Sequence, residues 1–474
     1  MSVTFPKPTP LQVLLILAAV VILQTAYNGT VPLDGDEAYY WVWSRHLQAG
    51  YHDHPPMIAA MIWLATQMFG VTAAAIRVVP ALCLGGTCFF IWRITDRVWG
   101  AEAGFLALVG SLALPVVQMG MTLATPDAPQ ALFWSATAWY GMEAVAGDRQ
   151  AGGGRWRDFL LAGLCAGLGM ASKYTAVLLP VAVFAVVITR RRDLLTSPKL
   201  WAALVVALAA FSPVLWWNAT HGMESFAFQI HHGSGKDQGL LWREFGTFLG
   251  GLAAMLSPLV LVIAVLALAD RRQWWADGRR YFLVVCFAVP MAVFLYKALH
   301  VKVQLNWAAP ALLTLLPLAA GYVWERKSWK LGGAALVLSL VLVAGLKWPL
   351  ELGLSGNLNI QNRLFGPEVA ARALQGLRQP GDVIFSDHLT RAALLEFLLP
   401  DHPAVHIPTD SRFSEYTRWD QGLNWRGMHG LYLSRDQHQD DLPQIFGKAE
   451  LLQVVNASRF GFRQRQYFIY RVGE

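Results

Sequence analysis

Eleven apolar segments separated by polar loops constrain this chain more than any other feature. A segment of about 20 apolar residues crosses a bilayer as a helix, because only helices and closed barrels satisfy every backbone polar group there. The composition agrees, since 55% of the residues are hydrophobic and only 15% are charged. We therefore predict a polytopic α-helical membrane protein with about eleven transmembrane helices. The predicted spans are residues 9–27, 75–95, 102–120, 128–146, 158–171, 175–189, 200–217, 246–268, 280–297, 308–324 and 331–347.

Two further segments precede the second span. Residues 38–50 and 57–70 are amphipathic or short, which predicts helices lying at the membrane interface. No convincing small-residue cleavage site follows the first span, so we expect a retained helix rather than a removed signal peptide.

Basic residues lie in alternate loops, and this asymmetry predicts the orientation, because loops rich in Lys and Arg usually face the cytoplasm. The basic loops contain Arg93, Arg97, Arg149, Arg155, Arg157, Arg190, Arg191, Arg192, Lys199, Arg271, Arg272, Arg279, Arg280, Arg326, Lys327 and Lys330. The opposite loops contain Asp36, His54, Asp127, Lys173, His221, His231, His232 and Lys302. We expect this second set, and everything after Lys347, to face the periplasm or exterior of the cytoplasmic (inner) membrane.

The composition changes near residue 348, where short β-rich runs replace the apolar segments. We predict a transmembrane domain over residues 1–347 and a small extracytoplasmic α/β domain over 348–474. Residues 391–399 favour a helix. Strands are predicted at residues 382–386, 404–408, 430–434, 451–455 and 466–472.

Charge and cysteine content exclude several classes of protein. The net charge of +7 is spread over short loops between apolar spans, which does not indicate a nucleic-acid partner. The four cysteines all lie in apolar spans, so neither a disulfide framework nor a cysteine-based zinc site is expected. No glycine-rich phosphate loop is visible, which disfavours a nucleotide-sugar substrate.

Residues 31–57, VPLDGDEAYYWVWSRHLQAGYHDHPPM, combine carboxylates, aromatics and imidazoles after the first span. A carboxylate there can act as a general base toward a hydroxyl nucleophile or help hold a divalent metal. The alternative is a polar loop with an aromatic belt and a satisfied interfacial histidine. The candidate residues are Asp36, Glu37, Tyr39, Tyr40, Asp53 and His54.

Three other polar stretches lie on the same predicted side. Asp127, in Thr125-Pro126-Asp127-Ala128-Pro129, is an ionisable residue at the edge of a span, although it could simply cap the next helix. Lys173 occupies a tight turn, where a snorkelling lysine or a cation for an anionic partner such as phosphate would fit. The stretch 297–310 offers Lys302, Asn306 and Trp307. Metal binding is a weak alternative for Asp36, Asp127 and His231, and a divalent metal stays open.

The DGDE and YHDHPP motifs, the TPD turn and the SKYT turn resemble the GT-C glycosyltransferases of the protein O-mannosyltransferase and lipid A aminoarabinose transferase (ArnT-like) superfamily. The resemblance implies a multi-helix membrane fold, a polyprenyl-phosphate sugar donor and an inverting transfer. It implies that Asp36 is the base or an acceptor-orienting group, with Glu37 as its companion and Asp127 as a second acidic position. Lys173 matches a phosphate-binding lysine. His54 stands where the aminoarabinose transferases carry a lysine.

The resulting hypothesis is an inverting glycosyltransferase (EC 2.4 class) that uses a polyprenyl-phosphate-linked sugar. The expected acceptor is lipid A, lipopolysaccharide or another envelope glycan. A protein O-glycosyltransferase of the same fold is one alternative. The other is a transporter or flippase for lipid-linked sugars, for which discontinuous helices or inverted repeats would be expected. We expect Lys302 and His54 to contact donor phosphate, and Tyr39, Tyr40, Asp53, Asn306 and Trp307 to contact substrate.

Overall fold

The computed structural model describes residues 6–120, 122–146, 154–234, 239–356, 359–409, 412–438 and 441–473. Close contacts divide the chain into two compact units, which we name by their composition. The membrane unit comprises Met1–Asn28, Gln48–Met61 and Arg77–Ala344. The C-terminal unit comprises Gly29–Leu47, Ile62–Ile76 and Gly345–Glu474. The predicted division at residue 347 therefore stays a prediction, since two segments of the first outward loop group with the C-terminal residues.

Helices fill the chain up to Lys347. They are α1 (Pro10–Gly29), α2 (Gly35–Arg45), α3 (Met57–Phe69), α4 (Ala73–Trp99), α5 (Ala101–Leu112), α6 (Pro115–Gly120), α7 (Asp127–Val145), α8 (Trp156–Met170), α9 (Leu178–Arg190), α10 (Pro198–Thr220), α11 (Glu224–Ser234), α12 (Trp242–Leu256), α13 (Pro258–Ala269), α14 (Arg271–Ala276), α15 (Gly278–Ala298), α16 (Leu305–Leu313), α17 (Leu315–Glu325) and α18 (Trp329–Lys347). Short 3-10 helices lie at Tyr174–Val177 and Arg192–Thr196.

Each predicted span coincides with one of these helices or with two consecutive ones. Among the described residues, five helices are long and apolar enough to cross a membrane, and up to seven if each bent pair forms one span. These five are α1, α4, α10, α15 and α18. The chain is thus a multi-pass helical membrane protein, whereas the number eleven remains a prediction.

Among the described residues, two predicted spans bend by more than 40° at a break between helices. The axes of α12 and α13 differ by 99°, and those of α16 and α17 by 47°. Ser257, between α12 and α13, has φ of 70°, a left-handed conformation that ends a helix, and Pro258 then starts the next one. Hydropathy alone does not reveal such a break, because both halves are apolar.

The segment predicted as an interfacial helix over residues 38–50 is helical as far as Arg45 in the structure. It forms α2, and every residue from Glu37 to Ser44 is buried. Its aromatic side chains contact protein, as when Trp41 packs edge-on against Phe397 with ring centroids 5.3 Å apart. Protein side chains therefore surround most of α2, and its position at the membrane interface stays a prediction. By contrast, α3 exposes Trp63, Leu64, Met68 and Phe69.

The C-terminal unit contains a five-stranded mixed sheet. Its strands are β1 (Val383–Ser386), β2 (Val405–His406), β3 (Gly430–Ser434), β4 (Ala449–Ala457) and β5 (Arg465–Val472). The order is β2-β1-β3-β5-β4, with β1 parallel to β2 and β3, and β5 antiparallel to β3 and β4. The accompanying helices are α19 (Pro367–Leu377), α20 (Leu389–Leu398), α21 (Glu415–Trp419) and α22 (Leu442–Phe446). All five strands overlap the predicted ones.

Small residues bring α8 and α10 together in the membrane unit. A Cβ atom on Gly163 or Gly167 would collide with the backbone carbonyl oxygens of Ala203 and Ala207. Glycines four residues apart lie on one helix face, and such small residues allow close backbone approach in membranes. This contact sets the position of α8, which ends at Met170, three residues before Lys173.

We expect Gly163→Leu to destabilise the protein by about 1–3 kcal/mol or more, because the added side chain must force α8 and α10 apart. The melting temperature of the purified protein in detergent measures this. Gly110→Leu is the matched control, since a Cβ at Gly110 has no heavy atom within 4 Å. Equal melting temperatures for the two variants would contradict the close packing of α8 on α10.

Candidate active site

A lysine, a carboxylate and an amide from three separate helix ends meet in the membrane unit. Lys173 Nζ donates to Asp127 Oδ1 at 2.7 Å, and Asn306 Nδ2 donates to Asp127 Oδ2 at 3.1 Å. The Thr125 hydroxyl lies 3.5 Å from the same Oδ2. We call these four residues the lysine cluster. Three of the predicted site residues are therefore neighbours, although as many as 179 positions separate them in sequence.

Local structure fixes each member of the lysine cluster. Asp127 is the first residue of α7, and a tight turn precedes it, in which Ala128 N donates to Thr125 O at 3.1 Å. The N–H groups of Ser172 and Lys173 both donate to Gly169 O at 3.0 Å, which closes the end of α8. Asn306 is the second residue of α16. Helix ends leave backbone groups to satisfy, so polar side chains concentrate there.

In the structure Asp127 and Lys173 pair with each other, and their functional roles stay predictions. The N-cap of α7 is Pro126, without a side-chain capping bond, so the Asp127 carboxylate serves the lysine and the amide instead. Lys173 is 5% exposed, which excludes a snorkelling side chain. Removing one partner of a buried ion pair typically costs about 3–5 kcal/mol, so the pair is a fixed feature of this region.

A small pocket opens beside Asp127. Its other walls are Val116, Gly120, Ala131, Ala309, Pro310 and Leu313. The pocket therefore combines one carboxylate with an apolar lining.

The acidic cluster of the first outward loop begins helix α2. Asp34 is the N-cap, with its Oδ1 accepting from Asp36 N at 3.1 Å, and Glu37 Oε2 accepts in return from Asp34 N at 2.9 Å. This capping box satisfies two backbone donors. Glu37 is fully buried in that role, whereas Asp36 is exposed. Of the three carboxylates, Asp36 is therefore the one whose side chain is exposed.

Asp34 also forms an ion pair with a residue that the sequence did not suggest. Arg363 Nε lies 2.6 Å from Asp34 Oδ2, both in the C-terminal unit. Burial raises the pKa of Asp34, while the Arg363 guanidinium opposes that shift. The arginine thus stabilises the charged form of a carboxylate that the protein interior disfavours.

The tyrosines of α2 are packed rather than open. Tyr39 is 4% exposed, stacks on Tyr416 with ring centroids 5.9 Å apart, and its hydroxyl accepts from Glu415 N at 3.0 Å. Tyr40 is 9% exposed and contacts Trp43 edge-on at 5.0 Å. In the structure both side chains contribute to the packing of α2, and their contact with substrate stays a prediction.

A second ion pair holds the other end of α2. Arg45 Nη1 donates to Glu396 Oε2 at 2.7 Å, and Tyr416 donates its hydroxyl hydrogen to Glu396 Oε1 at 2.8 Å. Burial is the main reason that the pKa of Glu396 rises to about 7. Sequence reasoning missed this cluster, because no local pattern signals a contact 351 positions away.

The His52-Asp53-His54 loop packs against α11 in the membrane unit. His52 Nδ1 lies 3.3 Å from Glu224 Oε1, and its ring lies 4.6 Å from that of Phe228. Gln229 Nε2 donates to the Asp53 backbone carbonyl at 2.5 Å and lies 3.5 Å from His54 Nδ1. His54 is half-buried, whereas Asp53 is buried.

The remaining candidates lie apart from these contacts. Lys302 and His231 are exposed, and Trp307 is half-buried. His231 Nδ1 bonds the backbone carbonyl of Ala227, one turn earlier in α11, at 2.7 Å. Within the described part of the chain, no group of three or more His, Cys, Asp or Glu side chains could hold a metal ion. The histidine side chain at position 232 lies outside the described residues.

The chain is similar to known membrane glycosyltransferases. Residues 53–217 match the family of dolichyl-phosphate-mannose-protein mannosyltransferases, a range that includes His54, Asp127 and Lys173. A lipid A galacturonosyltransferase of Rhizobium johnstonii is 26% identical over 376 residues, covering 77% of each chain. A lipopolysaccharide core galacturonosyltransferase of the same organism is 26% identical over 500 residues, covering 97% of this chain and 95% of its own.

Solved structures share the fold. ArnT from Cupriavidus metallidurans, bound to undecaprenyl phosphate, superposes with a TM-score of 0.66 at 15% identity, covering 98% of both chains. The archaeal oligosaccharyltransferase AglB from Archaeoglobus fulgidus gives 0.53 at 10% identity, over 90% of this chain and 69% of its own. The family match, the galacturonosyltransferase relatives and the shared helical fold support a membrane glycosyltransferase of the GT-C superfamily, as the sequence motifs indicated.

Proposed function

We propose that the protein transfers one sugar, with inversion, from a polyprenyl phosphate to lipid A, lipopolysaccharide or another envelope glycan at the outer face of the inner membrane. The observation that carries this proposal is the lysine cluster, where a buried cation sits at the end of a membrane helix. The two galacturonosyltransferase relatives, one named for lipid A and one for the lipopolysaccharide core, support the class of acceptor. The ArnT structure with undecaprenyl phosphate supports the class of donor.

Lys173 is proposed to bind the phosphate of the donor. An ammonium group has three N–H donors, and among the described residues its hydrogen bond goes to Asp127. The remaining donors suit phosphate oxygens, which bind lysine through charge-assisted hydrogen bonds. Asp127 and Asn306 would then hold the lysine in place, and Lys302 and His54 are proposed as further phosphate contacts.

Asp36 is proposed to be the general base. The acceptor hydroxyl loses its proton to the Asp36 carboxylate while its oxygen attacks the anomeric carbon of the sugar. The bond from that carbon to the phosphate oxygen breaks with its electron pair, and the lipid phosphate leaves as an anion. Lys173 stabilises the charge that develops on this leaving group. Glu37 supports the position of Asp36 through the capping box.

The acceptor could instead be a protein, as the name of the matched family suggests. That match covers residues 53–217 only, whereas the lipopolysaccharide core enzyme matches 97% of the chain. We therefore favour a glycolipid acceptor. The proposed substrate contacts of Tyr39, Tyr40, Asp53, Asn306 and Trp307 apply to either acceptor.

We expect Asp36→Asn to reduce transfer by at least about 100-fold, the range that general-base catalysis contributes. The change keeps the shape of the side chain and removes its basicity. Transfer of radiolabelled sugar by purified protein, at matched expression and melting temperature, measures the effect. Glu450→Gln, at an exposed carboxylate on β4, is the control. Activity of Asp36→Asn within a few fold of the control would contradict the role of Asp36.

Lys173→Met should raise KM for the donor more than KM for the acceptor, because the lost cation binds the lipid phosphate. Varying each substrate separately measures the two values. The variant also leaves Asp127 without its cation, so Lys173→Met/Asp127→Asn is needed to remove that buried charge. A double variant that regains donor affinity would show that Lys173 only neutralises Asp127, and would overturn its assignment to the donor site.

The proposed orientation places Gln304 and Gln421 outside and Thr196 and Ala276 in the cytoplasm. All four side chains are exposed, so a single cysteine at each site, in a background without the native cysteines, should be reactive where reagent has access. An impermeant thiol reagent should label the first two in intact spheroplasts and the other two only after lysis. The reverse pattern would put the site residues on the cytoplasmic side and exclude a flipped lipid donor.

A further inference from the structure

We propose that Arg363 is a positioning residue for Asp36, and that the C-terminal unit holds the proposed base through it. This inference rests on the proposed function, since it assigns a purpose to the structure around Asp36. It gives the C-terminal unit a part in the proposed chemistry.

The contact runs from Arg363 to the backbone of Asp36 through a single carboxylate. Asp34 Oδ2 bonds Arg363 Nε at 2.6 Å, and Asp34 Oδ1 accepts from Asp36 N at 3.1 Å. A displacement of Arg363 therefore moves the group that fixes the first turn of α2. Asp36 lies in that turn, with its side chain exposed.

Charge gives the same contact a second role. Asp34, Asp36 and Glu37 place three carboxylates within four residues, and Asp36 and Glu37 both disfavour the charged form of Asp34. Arg363 is the cation whose interaction with Asp34 opposes this repulsion. Without it, a buried Asp34 would tend to take up a proton and would accept the Asp36 N–H less strongly, because hydrogen bonds to ionised groups are stronger.

The backbone that carries Arg363 is itself anchored. Residues Ile360–Leu364 form a 3-10 helix, in which the Asn359 side chain accepts from Gln361 N at 3.0 Å. At the start of β5, Arg465 Nη2 donates to Asn362 O at 2.6 Å. Asn359 Nδ2 donates to Gly461 O at 3.1 Å. The arginine therefore extends from a segment tied to the sheet rather than from a free loop.

Other contacts hold the rest of α2 independently of Arg363. The Tyr39 hydroxyl accepts from Glu415 N, and Arg45 pairs with Glu396. At its start, a Cβ on Gly35 would lie 2.5 Å from Thr390 Cβ, which shows how closely the helix approaches α20. Loss of Arg363 should consequently leave α2 in place and disturb only the orientation of its first turn.

The test compares Arg363→Met with Arg363→Lys in the full-length protein. Arg363→Met should lower kcat about tenfold, equivalent to about 1.4 kcal/mol of transition-state stabilisation, with KM for the donor changed less than about twofold. Arg363→Lys should recover most of kcat because it restores the charge. Arg378→Met is the matched control, since Arg378 forms an ion pair with Asp401 in the same unit.

Coupling to Asp34 separates positioning from general stability. Asp34→Asn keeps an oxygen for the Asp36 N–H but removes the charge that binds Arg363. Combined with Arg363→Met it should lower kcat no further than either change alone, because both remove one interaction. Additive losses would overturn the proposal, as would a loss of activity that follows the melting temperature and is not rescued by lysine.

The Asp36 and Arg363 variants test the proposed base and its positioning residue separately. If Asp36→Asn abolishes transfer while Arg363→Met behaves like Arg378→Met, Asp36 remains the base and Arg363 is not its positioning residue. If Asp36→Asn stays active, the base is misassigned and the inference falls with it.

Discussion

The requirement that every backbone polar group be satisfied in an apolar environment governs the structure of the membrane unit. Regular helices satisfy these backbone groups internally. Polar side chains therefore concentrate at the helix ends, where the chain changes direction. Asp127, Lys173 and Asn306 all lie at such places: the first residue of α7, the turn after α8, and the start of α16.

The same principle explains why α2 is buried by protein. It begins with two acidic residues in its first turn and carries Tyr39, Tyr40, Trp41 and Trp43 around its circumference. No single face is polar enough to point to water or uniformly apolar enough to point to lipid. Packing within the C-terminal unit accommodates both the polar and the aromatic side chains of α2. It supplies Glu396, Glu415 and Arg363 as specific polar partners. The aromatic side chains meanwhile find aromatic neighbours.

Local sequence pattern located the apolar helices and the strands, and was insufficient for two kinds of feature. Hydropathy located α4 and α10, and β-rich composition located β3 and β5, because these signals depend on adjacent residues. The break at Ser257 was missed because apolar residues flank it on both sides. Asp127 and Lys173 could be singled out as ionisable residues beside apolar spans, yet their direct contact depends on the packing of α7 and α8. No local sequence pattern singled out Arg363 as a site residue, since arginines are common in polar segments and its partner Asp34 lies more than 300 positions away.

The comparisons cover two sets of residues differently: Asp127 and Lys173 on one side, and Asp36 with the C-terminal residues on the other. The mannosyltransferase family match includes Asp127 and Lys173 but neither Asp36 nor the residues after position 217. A relative that acts on the lipopolysaccharide core matches nearly the whole chain. A lipid phosphate is common to many donors, whereas acceptors differ in size and polarity. We therefore infer that the lysine cluster serves the shared donor chemistry. Acceptor choice would then depend on the remaining residues, including the C-terminal unit that holds Asp36. On this reasoning an enzyme with a different acceptor would keep the buried lysine and carboxylate and vary the residues that contact α2.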